Sequence, residues 1–144
     1  FSDLSDAQRR VFTDWVAAIG PYVELTPAKL KRIQGVVFEI RQGYKSADSK
    51  RQNADLRFGM SAYQEGLLPT FMILSQQVND AVIDRYRKDK MAVLTGTLDG
   101  NALSSTFTFF KQVVGFDLEA FFRRNSETLR TETLTIIRSL LEAE

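Results

Sequence analysis

Apolar side chains recur at helical spacing in the first part of the chain, with polar residues between them. Ser5 and Gln8 open this pattern with the spacing of a capping box, and Gly20-Pro21 follows its last apolar position. Proline lacks the backbone N–H that a helix interior needs. The pattern therefore predicts an amphipathic helix over 5–19. Its apolar positions are Val11, Phe12, Trp15, Val16 and Ile19.

A strand is predicted where helical spacing gives way to a run of β-branched and aromatic residues. Thr26-Pro27 first starts a short helix to about Gln34, because proline is favoured at the first helical position. Residues 36–45, with a glycine near each end, then favour a strand. Periodicity leaves open the alternative of a helix that continues from residue 27.

The two faces of this strand differ in chemistry. Successive side chains of a strand point to opposite faces, so one face is predicted to carry charge and the other to join the core. The first face comprises Val37, Glu39, Arg41, Gly43 and Lys45, and the second comprises Phe38, Ile40 and Tyr44.

Helical and strand patterns alternate through the middle of the chain. This order predicts right-handed crossovers and parallel neighbours in an α/β fold, with a core sheet over about 35–96. In the helix predicted over 49–64, the apolar face is predicted to be Leu56, Met60 and Tyr63. The predicted elements are a helix over 49–64, a strand over 68–74, a helix from Asn79 or Asp80 to Lys88, and a strand over 91–95.

The last third of the chain is rich in phenylalanine and helical in pattern. Asp117 begins a long helical pattern that reaches Leu141, and we predict a helical C-terminal part over about 102–144. Spaced aromatic residues usually fill interiors, so we expect these rings in the core, with a stacking platform for bases as the alternative. The rings are Phe107, Phe109, Phe110, Phe116, Phe121 and Phe122.

Composition limits the kind of protein to expect. A chain of 144 residues with 44% apolar residues matches a single globular domain. No apolar run approaches the roughly 18 residues that a membrane helix needs, and no signal-like pattern opens the chain. We therefore expect a soluble, cytoplasmic protein without a membrane partner. Phe1 in place of methionine predicts a processed chain or a fragment of a longer one.

The absence of cysteine and histidine excludes several chemistries. Disulfides, thiolate or imidazole metal sites, and Cys-His or Ser-His catalytic pairs cannot form in this chain. A metal ion must then bind to oxygen ligands, which favours Mg²⁺ or Mn²⁺ over Zn²⁺.

Positive charge is concentrated in one part of the chain. The net charge is +1, yet residues 29–57 hold eight lysines and arginines against three acidic residues. Such a local excess attracts a polyanion even when the whole molecule is nearly neutral. An ordinary solvated surface is the simpler interpretation.

The sequence Glu39-Ile40-Arg41 suits phosphodiester hydrolysis. That reaction needs a metal ion to activate water and a positive group to neutralise charge on the phosphate. A carboxylate and a cation on one strand face supply both, although a cross-strand ion pair is the simpler alternative. Further candidates for phosphate contacts are Lys45, Lys50 and Arg51, and for hydrogen bonds to backbone or bases Gln42, Gln52 and Asn53.

Residues 36–55 resemble part of a known nuclease family. Val36-Val37-Phe38-Glu39-Ile40-Arg41, followed by a helix and a buried strand, is similar to the metal-dependent nuclease fold of type II restriction endonucleases, the PD-(D/E)XK superfamily. In that family an apolar strand carries an acidic residue, one intervening residue and usually lysine. The stretch from Glu39 to Asp55 also resembles restriction enzymes of the ApaLI-like group. The resemblance covers roughly residues 35–144.

The resemblance implies a Mg²⁺-dependent type II restriction endonuclease that cleaves double-stranded DNA at a specific site. The implied fold is a restriction-endonuclease-like central mixed sheet flanked by helices, and such enzymes commonly act as homodimers. Glu39 would bind Mg²⁺ together with the carbonyl of Ile40, and Arg41 and Lys45 would lie at the scissile phosphate. The residues implied in DNA contacts are Gln42, Lys50, Arg51 and Asn53.

Two features depart from the family pattern. Arg41 stands where lysine is usual, and arginine cannot act as a general base, so Lys45 is the candidate for a flexible ammonium. The family's first metal-binding aspartate lies on a preceding strand, but no Pro-Asp occurs upstream here. Glu24 and Asp14 are poor substitutes. We expect that residue on a missing N-terminal part of a longer nuclease chain, in which case this fragment alone would be catalytically incomplete.

Two other functions stay open from the sequence. One is a non-catalytic α/β module that binds DNA or protein through the same basic face, recognised by salt-sensitive binding without metal-dependent turnover. The other is a wholly helical partner-binding domain, which requires 27–64 to be one continuous helix.

Overall fold

The chain forms an α/β fold, as predicted. A computed structural model describes residues 4–43 and 49–142, apart from the side chains of residues 49–52. In chain order the elements are α1 (Asp6–Tyr22), α2 (Pro27–Leu30), β1 (Gly35–Arg41), α3 (Ser49–Gln64), β2 (Leu67–Ile73), α4 (Asp80–Lys88), β3 (Ala92–Leu94), α5 (Thr106–Phe109), a π-helical turn (Phe110–Val114) and α6 (Leu118–Glu142).

The sheet has three strands in the order β1-β2-β3. Arg41 of β1 pairs with Ile73 of β2, and Thr70 of β2 pairs with Ala92 of β3, both in parallel. The prediction of parallel neighbours is confirmed. The predicted mixed sheet is not observed among the described residues, because a helix returns the chain to the same end of the sheet before each new strand.

One face of the sheet is covered by α1 and α5. Trp15 and Ile19 of α1 pack with Phe109 of α5 and Leu68 of β2. The indole N–H of Trp15 donates to the carbonyl of Ala102 at 2.8 Å, and its ring centre lies 4.7 Å from that of Phe109. The helical spacing of Trp15 and Ile19 therefore places both side chains in the core, as predicted.

The other face is covered by α3 and α4. Val82 and Tyr86, one turn apart on α4, pack with Phe71 and Ile73 of β2 and with Val93 of β3. The ring centres of Tyr86 and Phe71 are 4.9 Å apart. Helices on both faces explain why every residue of β2 except the first is buried, including the polar Thr70.

The first elements differ from prediction in length. The capping box of Ser5 and Gln8 is present, but α1 continues through Pro21 to Tyr22. The missing N–H of Pro21 falls in the last turn, where the next N–H groups still bond to helix carbonyls and Val23 becomes fully buried. β1 ends at Arg41, four residues before its predicted end, and its presence makes the wholly helical alternative wrong.

The C-terminal part is helical, as predicted, but its rings are not all in the core. Phe109 is buried, whereas Phe116, Phe121 and Phe122 are exposed. Phe116 lies just before α6, and Phe121 and Phe122 lie in its first turns; no residue of α6 is buried. None of the helices in the described ranges has the length and apolar content needed to cross a membrane.

Candidate functional site

Side chains from three elements meet at the carboxyl end of β1. Arg41 is the last residue of β1, and Glu39 lies two residues earlier; Asp55 and Tyr86 come from α3 and α4. We call these four residues the Arg41 cluster. Open parallel sheets bind ligands at the carboxyl ends of their strands, so this cluster is the candidate site.

Arg41 and Asp55 form a bidentate ion pair. Nη1 of Arg41 lies 3.0 Å from Oδ2 of Asp55, and Nη2 donates to Oδ1. The two side chains are 16% and 4% exposed, so water screens the pair only slightly. The guanidinium carbon of Arg41 also lies 5.3 Å from the centre of the Phe71 ring, in a cation–π contact.

Tyr86 completes the buried part of the cluster. Its hydroxyl donates to Oδ2 of Asp55, which also accepts from Arg41. Hydrogen bonding with Asp55 raises the pKa of Arg41; burial opposes this, and the negative charges of Asp55 and Glu39 reinforce it. Arg41 is therefore a permanent cation and cannot move a proton during a reaction.

Glu39 is the accessible member of the cluster. Its side chain is 43% exposed, and Oε1 lies 3.4 Å from both Nε and Nη2 of Arg41. Charge-assisted hydrogen bonds are usually about 2.7–2.9 Å long, so Arg41 holds this carboxylate only loosely. The ion pair considered from the sequence exists, but within one strand and not across two.

Ile40 belongs to β1, which is an edge strand of the sheet formed by the described residues. The carbonyl of Arg41 accepts a hydrogen bond from the N–H of Leu74 at 2.8 Å, on the β2 side. Successive carbonyls of a strand point to opposite edges, so that of Ile40 is directed away from β2. The Ile40 side chain is 58% exposed, which corrects its predicted place on the core face: β1 extends beyond the helices that cover Phe38.

Of the other predicted site residues, the structure describes the side chains of Gln42 and Asn53. Gln42 follows β1 and is exposed. Asn53 is exposed on α3, two residues before Asp55 and therefore about 200° around the helix from it. Asn53 thus does not face Arg41. The described residues do not include Lys45 or the side chains of Lys50, Arg51 and Gln52.

A magnesium site would need oxygen ligands at the cluster. The carboxylate of Glu39 and the carbonyl of Ile40 are oxygen donors of the kind that Mg²⁺ prefers. The carboxylate of Asp55 is already engaged by Arg41 and Tyr86. Within residues 4–43 and 53–142, no three acidic side chains are grouped closely enough to hold a metal ion.

A cavity of about 820 Å³ lies at the opposite end of the sheet. Gln34, Gly66 and Lys90, which precede the three strands, line it. Lys90 forms an ion pair with Glu24 at 2.7 Å, and this contact lowers the pKa of Glu24. Glu24 therefore pairs with Lys90 at the amino ends of the strands and does not lie beside Glu39, where the resemblance to the nuclease family implies a second acidic residue.

Asp55 and Tyr86 were missed by sequence reasoning. The sequence patterns do not single out Asp55, and they predict Met60 on the apolar face of its helix; the structure buries Asp55 and leaves Met60 65% exposed. The signal was the series Asp55, Gly59 and Ala62, which lies on one side of α3 at i, i+4 and i+7. A carboxylate on that buried face requires a cation opposite, and Arg41 provides it.

The cluster combines an exposed carboxylate with a fixed cation, an arrangement that can bind a divalent ion beside a phosphate. Comparisons of the chain with family models, curated proteins and solved structures find no match. The functional assignment therefore depends on the residues of this chain.

Proposed function

We propose that the protein is a Mg²⁺-dependent endonuclease of the type II restriction class, acting on double-stranded DNA. The observation that carries the proposal is the half-exposed carboxylate of Glu39 beside the fixed guanidinium of Arg41, at the carboxyl end of a parallel strand. The resemblance of residues 36–55 to restriction enzymes supports it. A sheet covered by helices on both faces is compatible with a restriction-endonuclease-like core.

In this proposal Glu39 and the carbonyl of Ile40 hold the metal ion. A bound Mg²⁺ would activate water and polarise the scissile phosphate. Arg41 stabilises negative charge on that phosphate without donating a proton, because Asp55 keeps it oriented and charged. The remaining assignments follow the resemblance: Lys45 to the scissile phosphate, Lys50 and Arg51 to the flanking backbone, and Gln42 and Asn53 to hydrogen bonds with DNA.

Cleavage of plasmid DNA tests the role of Glu39. We expect Mg²⁺-dependent cleavage by the intact nuclease chain, which would carry the second metal-binding aspartate, and a loss of about 100-fold or more for Glu39→Gln, which keeps the side chain's size and removes its charge. Glu65→Gln, an exposed residue at the other end of the sheet, should cleave normally. Equal cleavage by both variants would remove Glu39 from the mechanism.

Metal binding gives a second readout that does not depend on turnover. Calorimetric titration with Mn²⁺ should show binding to the unmodified protein and a loss of about tenfold or more in affinity for Glu39→Gln. Unchanged affinity would place the metal ion elsewhere.

A non-catalytic DNA-binding module is the second candidate. The observation that favours it is the engagement of Asp55 by Arg41 and Tyr86, which leaves Glu39 as the one loosely held carboxylate of the cluster. Salt-sensitive DNA binding with no cleavage in either Mg²⁺ or Mn²⁺ would support this candidate over the nuclease.

A further inference from the structure

The cavity at the amino ends of the strands has the size of a ligand site. Its volume of about 820 Å³ lies within the range of roughly 300–1,000 Å³ that small-molecule sites occupy. One wall is formed by α2 and the residues that follow it, and the other by the carboxyl ends of α3 and α4. We call this space the amino-end groove.

The wall formed by α2 is positively charged. Lys29 of α2 and Arg32, two residues beyond its end, both line the groove with exposed side chains. Neither forms an ion pair with another residue in the part of the chain that the structure describes. Two neighbouring cations without a counter-charge favour an anionic group of a ligand at this wall.

The opposite wall carries a negative charge. Asp89 is the C-cap of α4 and lines the groove with an exposed side chain. Among the described residues its carboxylate has no ion-pair partner. The carbonyls at the carboxyl end of a helix carry partial negative charge, so an acidic residue there opposes the helix dipole. Asp89 therefore gains nothing from its own helix, whereas its charge suits an ammonium group of a ligand.

Lys90, the next residue, is engaged elsewhere. Its ammonium pairs with Glu24 at 2.7 Å, and its carbonyl accepts a hydrogen bond from the hydroxyl of Tyr63. These two contacts hold the end of α4 to the ends of α1 and α3. The groove is thus preformed, and Asp89 keeps its charge available.

Amide and apolar groups complete the lining. Gln34 and Gln64 contribute exposed side-chain amides, each of which can donate to and accept from a peptide group. Ile33 and the ring of Tyr63 are partly buried and provide apolar surface. The groove therefore matches a molecule that combines a positive end, a negative end, peptide groups and apolar side chains.

We propose that the amino-end groove binds a short peptide with free termini, whose carboxylate lies at Lys29 and Arg32 and whose ammonium lies at Asp89. A short peptide uses more of the 820 Å³ volume than a single amino acid would. The proposal does not depend on nuclease activity, because the groove and Glu39 lie at opposite ends of the sheet.

Calorimetric titration with matched probes tests the need for both charges. Leucylleucine has both charged termini, N-acetyl-leucylleucine has only the negative one, and leucylleucine amide has only the positive one. We expect leucylleucine to bind and each blocked form to bind about tenfold more weakly or less, because each loses one charge-assisted hydrogen-bonding group. Absence of leucylleucine binding, equal affinity for the three probes, or tighter binding of inorganic phosphate would overturn the proposal.

Substitutions on the two walls test the orientation of the peptide. Asp89→Asn should weaken leucylleucine binding by about tenfold but leave N-acetyl-leucylleucine unaffected, since that probe has no ammonium to lose. Arg32→Gln should weaken both of these probes and leave leucylleucine amide unaffected. A merely structural role of either residue would change the affinity for all three probes alike.

Arg130→Gln is the matched control, because Arg130 is exposed on α6 and away from the groove. This variant should bind leucylleucine as the unmodified protein does. Thermal unfolding of each variant checks that the fold is retained. Unchanged leucylleucine affinity in Asp89→Asn or Arg32→Gln, or equal losses for all three probes, would overturn the assigned positions of the termini.

Discussion

Arg41 and Asp55 lie fourteen residues apart in the chain and face each other through two hydrogen bonds, from Nη1 to Oδ2 at 3.0 Å and from Nη2 to Oδ1. The pair joins the last residue of β1 to α3 and fixes the guanidinium beside the exposed carboxylate of Glu39. The geometry of the candidate site therefore depends on a contact that is itself largely buried.

Removal of the charge at position 55 should destabilise the fold. Asp55→Asn keeps the size of the side chain but leaves Arg41 without its main counter-charge, so we expect the free energy of unfolding to fall by about 3 kcal/mol. Urea denaturation at neutral pH measures the change. Asp84→Asn, exposed on α4, is the control and should change it by less than about 0.5 kcal/mol. An equal loss of unfolding free energy in the two variants would show that the Arg41–Asp55 pair does not stabilise the fold.

The hydroxyl of Tyr86 should contribute through Asp55. Tyr86→Phe keeps the ring that packs on Phe71 and removes one hydrogen bond, for an expected loss of about 1 kcal/mol in unfolding free energy. In a double-mutant cycle, the loss in Tyr86→Phe with Asp55→Asn should be smaller than the sum of the single losses. Strict additivity would show that the hydroxyl acts independently of the carboxylate.

Tyr63 should make the protein less stable at alkaline pH. Burial raises the pKa of its hydroxyl above the ordinary value of 10.0, and the hydroxyl donates to the carbonyl of Lys90. The unfolded chain loses this proton first, so the contribution is fully present below the ordinary pKa and is lost as pH rises above it.

Urea denaturation at about pH 8 and about pH 11 measures this dependence. The unmodified protein should lose more unfolding free energy between the two values than Tyr63→Phe, which has no proton to release. If both proteins lose the same amount, other groups account for the alkaline sensitivity.

Gly96 should not tolerate a side chain. A Cβ at this position would lie 2.1 Å from the carbonyl oxygen of Leu74, which is backbone and cannot turn aside. We expect Gly96→Ala to lower the free energy of unfolding by about 2–3 kcal/mol. Gly43→Ala is the control, because its Cβ would meet only the Cβ of Ser75 at an ordinary 3.7 Å. Thermal unfolding of the two variants should separate them clearly, and similar midpoints would contradict the close approach.

The order of the central elements could be predicted from local patterns. The helix start at Asn79, the capping box at Ser5 and the apolar run of β2 each depend on residues a few positions apart. Such short-range signals gave the parallel α/β arrangement correctly. They failed for the length of α1, where burial of Val23 outweighs the missing N–H of Pro21.

The candidate site could be predicted only in part. Glu39 and Arg41 were singled out because strand alternation puts them on one face, and the structure keeps them together. Asp55 and Tyr86 could not be assigned to that face, because their approach depends on how α3 and α4 pack on the sheet. The same limit applies to Met60, whose exposure is decided by the side of α3 that turns inward.

Spacing, caps and apolar runs along the chain were enough to set the alternation of helices and strands, since each of these signals acts within one or two turns. Packing decided the rest: which carboxylate became buried against Arg41, which stayed open at Glu39, and which apolar rows on α6 were left in water. Those outcomes depend on contacts between residues far apart in the chain. Such contacts exist only after the helices have docked on the sheet, so local patterns alone do not decide them.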